Sequence, residues 1–251
     1  PPKFVLLVVL DGWGIATRGA GNAITLAETP NMNRFLASYP HTQLGASGES
    51  VGLPRGEVGN TETGHLNLGA GRIVYQDFPR ISMAIADGSF LRNTALLAAT
   101  AHVKKCKSTL HLLGLMGRGS VHSSLEHLYA LLWLAKVQGF TQDRVKLHIF
   151  TDGRDSPPTA ALGILAQLEN KLKEIGIGEI ASICGRYSAM DRDNHWSRVE
   201  KAYRLLTQGE GTTALIPYQA VEHAYQKGLT DEFIEPTVIV DENKNPRGLI
   251  K

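Results

Sequence analysis

The first hydrophobic pattern is an uninterrupted one. Phe4-Val5-Leu6-Leu7-Val8-Val9-Leu10 is apolar throughout and rich in β-branched residues, and Asp11 ends it. Such a run predicts a central strand covered on both faces, as in a parallel sheet. After a Gly-rich loop, Thr29-Pro30 opens a helix, with Thr29 as N-cap and Pro30 at the first helical position. Met32, Phe35, Leu36 and Tyr39 then recur at helical spacing. Residues 41–60 are rich in Gly and Ser and hold Pro54, so they read as a weak strand and a long loop leading to Thr61.

Beyond Tyr75 the texture changes to alternating helices and strands. Helices are predicted over 78–86, 94–103, 125–137, 157–175, 196–206 and 221–226. Strands are predicted over 110–115, 145–151, 180–184 and 237–240. That alternation is the mark of an α/β domain with a mainly parallel sheet. Residues 1–75 hold only about two candidate strands by the same pattern. They are poor material for a core and are expected to join a sheet completed by other sequence. Two domains result, an incomplete one over 1–75 and most of a second over 76–251. A length of 251 residues agrees with this division.

Composition narrows the class without choosing a function. Apolar content of 43% and charged content of 20% are ordinary for a water-soluble protein. The net charge of +2 comes with scattered Lys and Arg, so neither nucleic acid nor an anionic membrane is an expected partner. No apolar run is long enough for a transmembrane helix, and the one ending at Asp11 is too short for a signal-peptide core. Cys106 and Cys184 are far apart and form neither a disulfide framework nor a metal-ligand spacing. These features predict a cytoplasmic protein with two buried or half-buried, reduced thiols. The chain opens on Pro1 without Met, which reads as a processed or trimmed start.

Candidate chemistry follows from where α/β sheets bind ligands, beyond the carboxyl ends of their strands. The first run ends in Asp11-Gly12-Trp13-Gly14. The predicted strand at 110 leads to Gly117-Arg118-Gly119-Ser120-Val121-His122-Ser123. The strand at 145 leads to Asp152-Gly153-Arg154-Asp155, and the strand at 180 to Gly185-Arg186-Tyr187 and Met190-Asp191-Arg192-Asp193. Arg154, Arg186 and Arg192, each near a strand end, suit a small polyanion, because a guanidinium grips carboxylate or phosphate in a fork. A surface ion pair is the alternative for any one of them, and His122 serves a loop hydrogen bond as readily as a ligand. The heptapeptide Gly59-Asn60-Thr61-Glu62-Thr63-Gly64-His65 places a hydroxyl in a tight turn downstream of Asp11. Thr61 reads either as the N-cap of a short helix to Leu68 or as a nucleophile. A threonine hydroxyl needs a base or a metal to become nucleophilic, and Asp11 is a hard donor suited to Mg²⁺, Mn²⁺ or Zn²⁺.

Taken together these residues resemble the cofactor-independent (2,3-bisphosphoglycerate-independent) phosphoglycerate mutases of the alkaline phosphatase superfamily. The resemblance is carried by Val9 to Gly14, Gly21-Asn22-Ala23, Thr29 to Met32, Ala46 to Glu49, Val51 to Pro54, Gly59 to His65 and Leu66 to Arg72. It continues through Val121-His122-Ser123, Asp152 to Asp155 with Pro157-Pro158, Gly185-Arg186-Tyr187 and Ala189 to Asp193. Thr61 stands where most members have Ser, and Ser124 where a second His often lies.

The resemblance implies the N-terminal part of an alkaline-phosphatase-like α/β domain, followed by an inserted α/β phosphotransferase domain. It makes the chain an N-terminal half, the remaining Asp and His metal ligands and a substrate Lys lying in the other half. It implies interconversion of 3-phosphoglycerate and 2-phosphoglycerate in glycolysis and gluconeogenesis, without 2,3-bisphosphoglycerate, by a monomer acting on a small molecule. Two Mn²⁺ ions are implied, with Mg²⁺ or another divalent ion in some members. By position, Thr61 matches the nucleophile and a metal ligand, and Asp11 a ligand of the same metal. His122, Arg154, Asp155, Arg186 and Arg192 match substrate-binding positions. The implied mechanism is ping-pong: Thr61 takes the phosphate, glycerate reorients in the Arg clamp, and its 2-hydroxyl takes the phosphate back. Asp155 is then either a base for that hydroxyl or a positioning group. The competing readings are a metal-dependent phosphatase or another phosphomutase of the superfamily, and a catalytically inert binding fragment.

Overall fold

The structure is a computed structural model in which residues 4–119 and 121–251 are described. Ser120 of the strand-end loop and Pro1 lie outside the described residues. The chain divides into two compact units, Pro1–Gln76 and Asp77–Lys251.

The first unit contains helices and turns. Helix α1 spans Ala23–Leu26, α2 spans Pro30–Ser38, a 3₁₀ turn covers Gly48–Val51, and α3 spans Thr61–Ala70. Pro30 begins α2 as its spacing requires, although the Thr29 side chain makes no capping hydrogen bond. Asn67 ties α3 to the turn: its amide donates to Val51 O at 2.9 Å and its carbonyl accepts from Val74 N at 2.6 Å. The strand expected at Phe4–Leu10 does not form. Those seven residues take part in no strand pairing among the described residues, and they are between 44% and 80% exposed. An apolar, β-branched run favours extended backbone, but a strand also needs a neighbour for its N–H and C=O groups. No described segment supplies one; the nearest backbone bond is the turn from Trp13 N to Leu10 O.

The second unit is an α/β sandwich. Helices α4 (Asp77–Ala86) and α5 (Thr94–Cys106) lead into strand β1 (Leu110–Met116). Then follow α6 (Leu125–Val137), β2 (Val145–Thr151), α7 (Ala161–Ile175), β3 (Glu179–Gly185), the single turn α8 (Arg186–Ala189), α9 (Trp196–Gln208), β4 (Thr212–Ala214), α10 (Pro217–Gln226), a 3₁₀ turn (Asp231–Phe233) and β5 (Thr237–Ile239). The sheet order is β1-β2-β3-β5-β4. β1, β2 and β3 are mutually parallel, β5 runs antiparallel to β3, and β4 is parallel to β5. The mainly parallel α/β sheet is thus present, with a reversed pair at one side. The short β4 lacks the apolar pattern of a strand, since Thr212 and Thr213 are exposed at the sheet edge.

Alternation along β2 builds two cores. Val145, Leu147 and Ile149 pack with Leu132, Leu165, Leu168, Ile183 and Val221 on the face covered by α6, α7 and α10. On the other face Cys184, Val238 and Val240 pack with Ala202 and Leu205 of α9, with Phe150 at the margin. His148 also lies in the sheet, fully buried, bridging His111 Nδ1 at 2.9 Å and Ser182 Oγ at 2.8 Å. Helix α7 begins at Ala161 rather than at Pro157. The Asp231 carboxylate takes the backbone N–H groups of Ala160 and Ala161, both at 2.9 Å, so a residue 70 positions away acts as the cap.

Candidate functional site

Candidate functional groups occur in each unit. In the first, Asp11 stands in the turn after the apolar run and Thr61 opens α3. Thr61 is not the N-cap. Asn60 takes that place, with its side-chain oxygen accepting from Thr63 N at 2.9 Å, so Thr61 is the first helical residue. Its hydroxyl donates to Asp11 Oδ2 at 2.9 Å. Both residues are exposed. The geometry therefore brings a hydroxyl, a carboxylate and a helix N-terminus together. A helix N-terminus offers free N–H groups and a positive dipole end to an anion.

The second unit gathers its polar residues by strand register. Met116, Thr151 and Gly185 are aligned partners, so β1, β2 and β3 all stop at one level. Their following loops converge there. The buried Arg186 guanidinium donates from Nη1 to Asp152 Oδ1 at 2.5 Å and to Asp155 Oδ2 at 2.9 Å. Asp155 Oδ2 also meets His122 Nδ1 at 2.5 Å. The 152–156 loop closes on itself: Asp152 Oδ1 accepts from Arg154 N and Asp155 N at 3.3 and 3.2 Å, and Ser156 Oγ accepts from Arg118 N at 2.7 Å.

Burial by itself would raise both carboxylates of this network. For Asp152 the Arg186 guanidinium, the Ser156 hydroxyl and two backbone N–H groups outweigh it. For Asp155, His122 and Arg186 do so. Both are held below the usual carboxylate range and are anionic at neutral pH. Asp155 is accordingly a weak base and a strong hydrogen-bond acceptor.

Arg154 is arranged differently. Its side chain is 59% exposed and donates from Nε and Nη2 to Glu232 Oε1, at 2.8 and 2.5 Å. Glu232 comes from the 3₁₀ turn before β5, which lies against the strand ends. A Cβ on Gly153 would stand 2.7 Å from Glu232 N, and one on Gly185 would stand 2.3 Å from Glu232 O. Both glycines are therefore required by close backbone approach.

Arg192 is exposed on the loop between α8 and α9, and no ion pair involves it among the described residues. On the same loop Asp191 is nearly buried and fully engaged. It takes the N–H groups of Asp193 and His195, the His195 ring and the Arg198 guanidinium. Asp191, Asp193 and His195 form a cluster of potential metal-ligand type, but these contacts already occupy the Asp191 carboxylate.

The structure thus brings His122, Asp155 and Arg186 into direct contact and joins Thr61 to Asp11. It gives Arg154 a carboxylate partner and shows Arg192 without one. From the sequence Asp152 has no assigned role and Glu232 is not singled out. Asp152 was legible as a strand-end carboxylate, whereas nothing local marked Glu232, which lies 78 positions from Arg154. Neither cysteine is in a disulfide; Cys184 is buried as expected, whereas Cys106, expected to be at least half-buried, is exposed. No helix among the described residues is long and apolar enough to cross a membrane.

Comparison with known proteins places the chain as a whole. Residues 81–251 match the family described as BPG-independent PGAM N-terminus. The chain is 53% identical over 240 residues to the 2,3-bisphosphoglycerate-independent phosphoglycerate mutase of Moorella thermoacetica, covering 96% of this chain and 46% of that protein. It is 51% identical over 250 residues to the enzyme of the same name from Chloroflexus aggregans, again covering 46% of it. Among solved structures, Leishmania mexicana phosphoglycerate mutase at low cobalt concentration superimposes with a TM-score of 0.74 at 32% identity, over 97% of this chain and 46% of that one. The chain spans about half the length of these relatives. It belongs to the family of 2,3-bisphosphoglycerate-independent phosphoglycerate mutases and corresponds to the N-terminal part of such an enzyme.

Proposed function

We propose that this chain is the N-terminal part of an enzyme that interconverts 3-phosphoglycerate and 2-phosphoglycerate through a phosphorylated Thr61. The observation that carries the reading is the hydrogen bond from the Thr61 hydroxyl to Asp11 at the N-terminus of α3. Asp11 orients the hydroxyl and is an acceptor for its proton. The free N–H groups at the start of α3 suit the oxygens of a phosphate carried on Thr61. Residues 1–75 are, in this reading, the start of a phosphatase-like domain, and residues 76–251 are most of the phosphotransferase domain that binds substrate.

The donor chemistry of Asp11 and Thr61 fits a hard divalent cation: two oxygens 2.9 Å apart, neither buried. These two residues would hold Mn²⁺, or another divalent ion, with further donors from the remainder of the enzyme. Such an ion supplies Lewis-acid charge that favours an ionised hydroxyl and a developing phosphoryl charge. The relatives' names support independence from 2,3-bisphosphoglycerate, and the Leishmania structure's association with cobalt supports a divalent ion.

In the second unit His122, Arg154, Asp155, Arg186 and Arg192 bind the substrate. Arg154 and Arg192 are exposed enough to reach its anionic groups. Asp155, anionic and braced by Arg186 and His122, accepts a hydrogen bond from a glycerate hydroxyl. This is a positioning role, since its lowered pKa makes it a weak proton acceptor. We further propose a cytoplasmic monomer with reduced thiols.

The test is mass spectrometry of the full-length enzyme quenched after mixing with 3-phosphoglycerate. A phosphate is expected on the peptide carrying Thr61, absent in Thr61→Ala and retained in Thr61→Ser. Turnover by Thr61→Ala at the wild-type rate would sink the nucleophile assignment. Release of inorganic phosphate in place of 2-phosphoglycerate would make the enzyme a phosphatase.

A further inference from the structure

We propose that Glu232 is a positioning residue for ligand binding, holding the Arg154 guanidinium so that its outer edge faces an incoming anion. The proposal rests on the reading of Arg154 as a substrate-binding residue.

The two partners differ in freedom. Arg154 is on an exposed stem, with 59% of its side chain open to solvent, whereas the Glu232 side chain is 13% exposed. The turn carrying Glu232 is fixed from several sides. Gly185 N donates to Ile234 O at 2.7 Å, Thr151 Oγ1 to Asp231 O at 2.7 Å, and Asp231 N to Pro158 O at 2.8 Å. The Asp231 carboxylate caps α7 and also takes the Tyr225 hydroxyl at 2.5 Å. The turn also lies so close to Gly153 and Gly185 that a Cβ on either would collide with the Glu232 backbone. Glu232 is therefore a fixed acceptor, and Arg154 is the group that gains order from the pairing.

The geometry of the pair leaves the arginine able to work. Nε and Nη2 both converge on the single oxygen Oε1. A guanidinium has five N–H groups, so three remain, two on Nη1 and one on Nη2. Of these, one N–H on Nη1 and the one left on Nη2 point together and form the end of the guanidinium that can grip a phosphate or carboxylate in a bidentate fork. The Glu232 charge opposes an approaching anion, but across an exposed, solvent-screened edge that opposition is weak. Ordering a long arginine side chain before the ligand arrives removes a larger entropic barrier to binding. The net effect of Glu232 is to strengthen binding.

The experiment is calorimetric titration of the full-length enzyme with 3-phosphoglycerate, with circular dichroism to establish that each variant is folded. Glu232→Ala should weaken binding about tenfold, and Glu232→Gln, which keeps a carbonyl acceptor, by about threefold. In an Arg154→Ala background, where little binding should remain, Glu232→Ala should cause no further loss. Wild-type or tighter binding by folded Glu232→Ala overturns the proposal; should that variant not fold, the same result from Glu232→Gln does so. Wild-type affinity in Arg154→Ala overturns instead the assignment of Arg154 on which the proposal rests. A wild-type full-length enzyme that takes up no 3-phosphoglycerate at millimolar concentration overturns both.

Discussion

Two seven-residue segments of this protein invite the same reading and end in opposite places. Phe4–Leu10 is entirely apolar; Val145–Thr151 includes Lys146 and His148. The more apolar segment lies exposed and unpaired in the first unit, while the more polar one is the second strand of a five-stranded sheet, nearly all of it buried. The difference lies in neighbours: the chain spans about half the length of its relatives, and Phe4–Leu10 finds among the described residues no partner strand of the kind β2 has on both sides. β2 has β1 on one side and β3 on the other, and helices above and below. Its backbone groups are satisfied by neighbours, and its polar side chains find specific partners: Lys146 with Glu179 at 2.5 Å, His148 with His111 and Ser182. The contrast extends to the units that contain the two segments. The first buries few apolar side chains, Val51 among them, and the second builds two cores.

The comparison can be broken by mutation, and the largest effect is expected where burial is complete. Leu147→Ala removes a fully buried side chain between α7 and the sheet and should destabilise the second unit by about 3–5 kcal/mol. Urea denaturation followed by circular dichroism measures this, and a loss below about 1 kcal/mol would contradict the packing described. Next comes acid. Burial, with a smaller contribution from the nearby His111, pushes His148 down to about 4. An unfolded chain, with its ordinary histidine near 6.5, then binds the proton more readily than the fold does. Stability should accordingly be intact above about pH 6.5 and fall as pH drops toward 4, by up to about 3 kcal/mol. Denaturation midpoints at pH 7 and pH 4.5 test the sign, and a ring-proton titration assigned to His148 tests the cause.

Smaller effects belong to the first unit. Asn60→Ala removes the N-cap of α3 and should cost about 1 kcal/mol locally. Faster hydrogen exchange at Thr63 N is its readout, and unchanged exchange would remove Asn60 as the cap that presents Thr61. Least of all, in the 251-residue chain, should come from Leu7→Ala, within about 0.5 kcal/mol, because Leu7 is exposed there. The same truncation at Leu7 and at Leu147 thereby separates apolar character from burial.

Local pattern made much of this legible. The spacing of apolar residues located α6 and β2 to the residue, and the glycine-flanked polar clusters pointed to the loops that hold His122, Asp155 and Arg186. These are properties of near neighbours along the chain, where helical and strand periodicities are written. The series of short motifs along the chain, from Val9 to Asp193, likewise pointed to the family. Other features required the tertiary structure. The reversal of β5 against β3, the capping of α7 by Asp231 and the pairing of Arg154 with Glu232 join segments remote in sequence. So does the neutralisation of the buried Arg186 by Asp152 and Asp155, which no reading of arginines as free cations anticipated. By itself the sequence determined which segments favour helix or extended backbone and which side chains bring chemistry. Only the tertiary structure decided which extended segment became a strand and which charges stayed available to a ligand, because hydrogen-bond and ion-pair partners are set by where distant segments meet.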